Sequence, residues 1–327
     1  MTALVWIEWG RPLSKYLRNN IKLHQSMFPS LEQIILADYE YIDEGESKHL
    51  SFISIKKLPR SELTKRFDHL SKTTFIPYKD STFWIATTRR FFLLYDLMLN
   101  ENLKQALHLE SDNVILNFEL VKETMSNLSS GIAYPMQSNL EGCGSIFFVT
   151  NVDALYRFLD YVCIKWEQGF FTDMQLLGLY SRESQEVEIL NTDKEADDIV
   201  FDAGSYGKYF VGSDARNFKF PTRRRAVIVK DPTSLLNKMS KLRFRLNLES
   251  DNINLSIDRK SKLVNIHIHS KEIPSSRGGL AKLLRKSFLG QRNLYWKIGS
   301  LDLLVLRERI ASKYYRTLGI TRDIRYR

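Results

Sequence analysis

The tetrapeptide Glu110-Ser111-Asp112-Asn113 sets two carboxylates one residue apart, between a short apolar run, ALHL, and a second one, VIL. Acids that interrupt such a strand project into a crevice at its end and not into a core. Paired oxygen ligands at that spacing suit a hard divalent cation, and a cation held there can bridge a diphosphate and neutralise a departing phosphate. A polar turn without a metal is the plainer reading of the same residues. Nearly the same letters recur at 246–255, LNLESDNINL. There the flanking run RFRLNLE puts Arg243, Arg245, Asn247 and Glu249 on one face, which reads as a half-exposed strand followed by a polar turn. The first copy is therefore the one expected to carry chemistry.

Other residues could join it. His267 and His269 in NIHIHSK lie two apart, so on a strand they share a face, and His-x-His is a common metal-ligand spacing. The alternative is that both pair with polar neighbours. Lys271 follows closely and can meet a phosphate as a point charge. Arg89 and Arg90 are consecutive in a helical pattern, about 100° apart around the axis, so one is expected to reach a ligand and the other to be paired or solvated. The reading favours Arg89. Asp173, in FFTDMQLL, is either a first-turn acid favoured by the helix dipole or a carboxylate that binds an acceptor or takes its proton. Asp202, in FDAGSYG, is the rival base, with Gly204 and Gly207 allowing close backbone approach to a ligand. Lys208 and Tyr209 read as structural parts of that loop. Trp9 could stack on a base or sugar, or belong to the core. Cys143 and Cys163 fit no metal or redox spacing and read as buried free thiols in a reducing compartment.

The elements that must position these residues follow from periodicity. ALVWIE (3–8) reads as a buried strand. A helix follows, with Leu13, Leu17, Ile21 and Met27 on one face and Pro12 in its first turn. EQIILAD (32–38) is the next strand, completing a β-α-β opening whose first strand ends at Trp9-Gly10. Ligands of open parallel sheets bind at that edge. Residues 61–72 and 82–101 read as helices, the second long and strongly apolar. GIAYP (131–135) and GSIFFVT (144–150) read as strands. Asn151 caps a helix through 169, and Thr172 caps another through 184. Beyond 220 the runs RFRLNLE, NINLSID and LVNIHIHS alternate with period two, as short antiparallel strands do.

Composition is that of a folded chain: 327 residues, 43% hydrophobic, 12% aromatic. No run approaches the roughly 20 apolar residues of a membrane span, and the first residues do not read as a signal peptide. The net charge of +10 is uneven. Residues 271–327 hold 14 Lys and Arg against 4 Asp and Glu, while the rest balances at 34 of each sign. A body-wide nucleic-acid surface is not indicated, and the basic tail reads either as a packed helical appendage or as a patch for anionic lipid or a polyanionic acceptor.

The helix carrying TTRRFFLLYDLM followed by HLESDN resembles the nucleotide-binding half of GT-A-fold glycosyltransferases, in which an acidic Asp-x-Asp motif closes a strand after such a helix. Here Glu110 stands in place of the first Asp and Asp112 matches the second. LVWIEWGRPLSKYLRNNI, EGCGSIFFVTNVDAL, FDAGSYGKYFVGSDARN and VNIHIHSKEI are similar to further segments of bacterial and viral proteins of this kind, over about residues 3–275. The resemblance implies an α/β fold: a GT-A-like, Rossmann-type mixed sheet flanked by helices (1–220), a small β-rich segment completing the site (221–270) and a basic helical tail (271–327). It implies a cytoplasmic enzyme, peripheral to a membrane if the tail binds lipid. Such an enzyme would move a sugar from a nucleotide-diphosphate donor to a glycan or lipid-linked acceptor in surface glycan synthesis. Mn²⁺ or Mg²⁺ would be held by Glu110, Asp112, His267 and His269, with Trp9, Arg89 and Lys271 on the donor and Asp173 or Asp202 catalytic. A non-catalytic module binding nucleic acid or membrane through its tail is the rival reading. A metal hydrolase using His267 and His269 is a weaker one, because further clustered ligands for a two-metal site are missing.

Overall fold

Strand β1 (Ala3–Glu8) is apolar on both faces because it lies inside a covered sheet. Its alternation is kept within that burial. Leu4 and Trp6 pack into one core, Ala3 and Val5 into the other. The computed structural model describes residues 3–38, 48–78, 81–129, 131–193, 198–211, 244–248, 252–257, 261–269 and 271–285. The tail beyond 285, the second ESDN copy through residue 251, and Arg243 lie outside them.

Helix α1 (Lys15–Met27) carries the chain from β1 to β2 (Gln33–Ala37), which pairs with β1 in parallel. The helix starts later than expected: Ser14, not the Pro12 turn, caps it by accepting the Leu17 N–H. Strand β3 (Leu50–Ser54) extends the sheet beyond β2. Helices α2 (Glu62–Thr73) and α3 (Ser81–Asn100) follow, and then β4 (Ala106–Leu109), parallel to β1 on its other side. Next come β5 (Asn113–Ile115), α4 (Phe118–Asn127), β6 (Ile132–Pro135), β7 (Ile146–Val149), α5 (Val152–Gln168), α6 (Asp173–Glu183) and β8 (Val187–Leu190). Periodicity had not announced β3, α4 or β8. Two of them, β3 and β8, are edge strands in which Leu190 alone is buried, so their apolar signal is weak.

The main sheet has seven strands in the order β3-β2-β1-β4-β7-β6-β8. Only β7 runs against the others. This is the mixed α/β sheet flanked by helices that the sequence implied. Strand order reverses between β1 and β4, which opens a crevice at their carboxyl ends. Helices α2, α3, α5 and α6 cover one face, while α1, α4 and the C-terminal strands cover the other. Helix α3 lies under its neighbours, and residues 88–98 are buried all round, which accounts for its nearly uniform apolarity.

Beyond β8, strand β9 (Ile199–Val200) and helix α7 (Ser205–Val211) precede β10 (Phe244–Leu248) and β11 (Ile253–Ile257), an antiparallel pair. The run LVNIHIHS, expected as one strand, breaks at Val264. Strand β12 (Ser261–Leu263) stays in a four-stranded sheet, β10-β11-β12-β9, and β13 (Asn265–His267) leaves it to pair with β5. Residues 277–285 are helical. Among the described residues no helix is long and apolar enough to cross a membrane.

His24 of α1 shows how tightly this face is packed. Its ring meets Trp6 edge-on at 5.2 Å, and its Nε2 accepts the Ile115 N–H at 3.1 Å. Nδ1 lies 2.9 Å from the Asn20 carbonyl, so the neutral Nδ1–H tautomer satisfies both contacts. Burial lowers its pKa to about 4. A depressed histidine is charged in the unfolded chain before it is charged in the folded one. Its contribution is therefore complete above about pH 6.5 and drains as the pH falls towards 4. The melting temperature is expected to drop over that window, by an amount corresponding to roughly 3 kcal/mol from this group. Thermal unfolding followed by circular dichroism against pH checks it, and a flat profile between pH 7 and 4.5 contradicts it.

Candidate functional site

The acids interrupt the apolar run because ALHL and VIL belong to different sheets. β4 ends at Leu109, and the chain turns out of the main sheet. The Glu110 N–H donates to the Ser145 carbonyl, and the Asn113 N–H closes the turn on the Glu110 carbonyl, both at 2.9 Å. The chain then returns as β5, in register with β13, with His267 opposite Asn113. The turn sits at the carboxyl edge of β4, beside the switch point. The Ile268 N–H donates to the Asp112 carbonyl at 2.7 Å, tying the acidic turn to the histidine segment through the main chain.

Five side chains meet there. His267 Nε2 lies 3.1 Å from Asp112 Oδ1 and 3.3 Å from Glu110 Oε2. The rings of His267 and His269 stack with centroids 4.0 Å apart. Lys271 Nζ pairs with the other Asp112 oxygen, Oδ2, and lies 5.1 Å over the Tyr16 ring. Its backbone is left-handed at φ +59°, a strained conformation for lysine that aims it back at the turn. Burial pushes the Asp112 carboxyl up, but His267, Lys271 and His269 together hold it well below its ordinary value. Burial pulls His267 down, yet Asp112, Cys143 and Glu110 hold it well above its own. Lys271 is likewise pulled down by burial and raised overall, chiefly by Asp112.

One ligand atom each from Asp112, His267 and His269 lie within 4.8 Å of one another. Metal–ligand bonds of about 2.0–2.2 Å separate neighbouring ligands by about 3–4 Å, so a small contraction suffices and the donor set fits a divalent cation. Glu110 stands differently from the expected quartet. One of its oxygens pairs with Arg90, and the other faces His267.

Arg90 is the site residue that sequence reasoning passed over. It is buried on α3, bonds Glu110 through Nη1 and reaches Asp173 Oδ2 through Nη2 at 2.9 Å. Burial lowers its pKa, and the two carboxylates more than reverse this. Asp173 opens α6 directly after the Thr172–Gln175 capping box. Burial raises its carboxyl above the ordinary range despite Arg90. Arg89, the favoured partner of a ligand, points elsewhere. It pairs with Asp68 and stacks 4.3 Å over the Trp9 ring. Asp38 lies close by, its carboxylate accepting the Gly10 N–H at 2.6 Å. Trp9 and Arg89 thus form a second group at the ends of β1 and β2. The doublet gave the divergence of the two arginines but not its direction.

Asp202 is fully buried and tied on both oxygens. Oδ1 accepts the N–H groups of Gly204 and Tyr206, and Oδ2 those of Gly207 and His267, all between 2.7 and 2.9 Å. With four amide donors on it, the carboxylate holds the start of α7 against β13 and is not turned to a substrate, contrary to the base role weighed from sequence. The close approach expected at Gly207 is likewise to protein: a Cβ there would sit 1.8 Å from the His267 carbonyl oxygen. Cys143 is buried, as expected, but at the edge of this site. Its thiol lies 3.2 Å from Ser145 Oγ and hydrogen-bonds with His267.

No protein-family model matches the chain, and no curated protein matches it in sequence. Solved structures similar to it include mouse xyloside xylosyltransferase 1 in its apo form, at 12% identity and TM-score 0.41, covering 58% of this chain and 86% of that one. The galactosyltransferase LgtC in complex with donor and acceptor sugar analogues has 10% identity and TM-score 0.38, covering 71% and 81%. Core-mannan synthase A of Aspergillus fumigatus, in an Mn/GDP form, has 8% identity and TM-score 0.38, covering 57% and 72%.

Two outcomes follow from the packing. Arg90→Met takes the guanidinium away from two desolvated carboxylates, leaving Asp173 without its ion pair and Glu110 with His267 alone, and should cost about 3–5 kcal/mol in urea unfolding. Adding Glu110→Gln and Asp173→Asn should recover most of that loss. Gly207→Ala must displace the His267 main chain, so a crystal structure of the variant should show β13 shifted away from α7, and an unmoved β13 would contradict the contact.

Proposed function

We propose that this protein is a metal-dependent glycosyltransferase, moving a sugar from a nucleotide-diphosphate donor to a hydroxyl of a glycan or lipid-linked acceptor. One observation carries the reading. Strands from distant parts of the sequence deliver Asp112, His267 and His269 to one point at the switch-point edge, with Lys271 beside them. Carboxylate and imidazole donors there fit Mn²⁺ or Mg²⁺, and two imidazoles favour Mn²⁺ of the two. When bound, the cation would neutralise the diphosphate and stabilise the departing nucleotide.

The chain's own residues divide the remaining work. Lys271 swings from Asp112 to a phosphate oxygen, a point charge on a flexible stem. Trp9, with Arg89 against it, offers an aromatic face for the nucleoside at the ends of β1 and β2. Glu110, Arg90 and Asp173 form a buried line of alternating charge beside the cation site, suited to orienting the hydroxyls of the transferred sugar. Asp173, with its raised pKa beside Arg90, would be the carboxylate to take the proton of the acceptor hydroxyl. Asp202 holds His267 in place.

Calorimetry with UDP and GDP, with and without Mn²⁺, tests this. Binding of one of them should require the metal and should fall at least 100-fold in Asp112→Ala. Glu110→Gln should weaken it less, because Arg90 already claims one of its oxygens. Absence of metal-dependent binding of either nucleotide, or an unchanged affinity in Asp112→Ala, defeats the reading.

A further inference from the structure

Behind the acidic turn three asparagines, Asn20, Asn113 and Asn265, are fully buried. Burying a carboxamide costs about 1–3 kcal/mol unless it is hydrogen-bonded, so three in one place need an account. Their bonds run in a line. Asn20 Nδ2, on α1, donates to the Ser111 carbonyl at 3.1 Å and to the Asn113 carbonyl at 2.8 Å, the residues on either side of Asp112. Asn113 Nδ2 donates to the Ser145 carbonyl at 2.8 Å, and its Oδ1 accepts from Asn265 Nδ2 at 2.9 Å. Asn265 then grips Asp202 at both backbone groups, accepting its N–H at 3.0 Å and donating to its carbonyl at 3.2 Å. Asp202 Oδ2 in turn accepts the His267 N–H.

One end of this line holds the main chain on both flanks of Asp112, and the other holds the main chain of His267. The β5–β13 ladder already joins the strands, so the carboxamides are not needed for pairing alone. What they add is direction. A ladder can twist or shear by an ångström at little cost, whereas amides that each bond two groups at once resist it: Asn113 and Asn265 use both nitrogen and oxygen, and Asn20 gives its Nδ2 to two carbonyls. We propose that Asn20, Asn113 and Asn265 are positioning residues that set the separation of Asp112 from the two histidines and thereby the affinity for the divalent cation. This rests on the cation-site reading above.

Mn²⁺ alone is the probe, with free Mn²⁺ measured by electron paramagnetic resonance and folding by circular dichroism. Two variants attack opposite ends: Asn20→Ala, which leaves helix α1 a good helix former, and Asn265→Ser, which keeps a small polar group. Each should weaken Mn²⁺ binding by about 10- to 100-fold, the range typical of lost outer-shell support, while remaining folded. Leu159→Ala, in the core of α5 on the far side of the sheet, serves as the control. It should lower the melting temperature and leave Mn²⁺ affinity alone. Should Asn265→Ser fail to fold, Asn20→Ala decides. A wild-type protein that binds Mn²⁺ and variants that bind it within twofold overturn the positioning role only. A wild-type protein that binds no Mn²⁺ overturns the cation site, and this inference with it.

Discussion

The short antiparallel ladder between β5 and β13 is the contact on which the site depends. It joins Asn113–Ile115 to Asn265–His267 across a gap of 152 residues between Asn113 and Asn265. Closing so long a loop is entropically costly, though the cost grows only slowly with length. The ladder is held by more than its own bonds. Val264 and Ile266 are buried in the same core as α1 and α4, and the Leu116 N–H donates to the Val264 carbonyl. The chain crosses from the four-stranded sheet to the acidic turn at Val264, and that one step brings imidazoles to carboxylates.

The charges gathered there explain why the arrangement tolerates burial. Glu110, Asp112 and Asp173 are each desolvated, and a buried carboxylate without a partner is destabilising by several kcal/mol. Arg90 meets two of them from α3, and Lys271 with His267 meets the third from the C-terminal segment. Helix and segment approach from opposite faces of the sheet. The crevice at the switch point is where both can reach, because there the strands end and no backbone lies between the layers. The scaffold and the site therefore share one cause, the reversal of strand order between β1 and β4.

Asp202 shows how a residue suited to catalysis is diverted by its surroundings. Its sequence setting, between an apolar pair and two glycines, allows either a loop facing a ligand or a helix start. The four N–H groups that meet it decide in favour of the helix start, since an acceptor saturated by amides has little left to offer a substrate. Asp173, left unranked against it, read either as a first-turn acid beside a capping threonine or as a base. Its helix start is real, but Arg90 gives that position a second use.

Local pattern alone determined the β-α-β opening and the helix caps at Asn151 and Thr172. These depend on near neighbours, whose geometry follows from residue type and period. Alternation predicted a shared face for His267 and His269, but β13 ends at His267 and the His269 N–H turns back onto the His267 carbonyl, so a turn and not a strand sets the two rings side by side. What only the tertiary structure decided is which groups share a point in space. Arg90 rather than Arg89 reaches Glu110, since one helical step turns a side chain by about 100° and the packing of α3 sets its rotation. The break at Val264, the binding up of Asp202 and the line of buried asparagines follow from contacts between segments far apart in the chain. No local preference encodes such contacts, because each becomes favourable only after the sheet beneath it has formed.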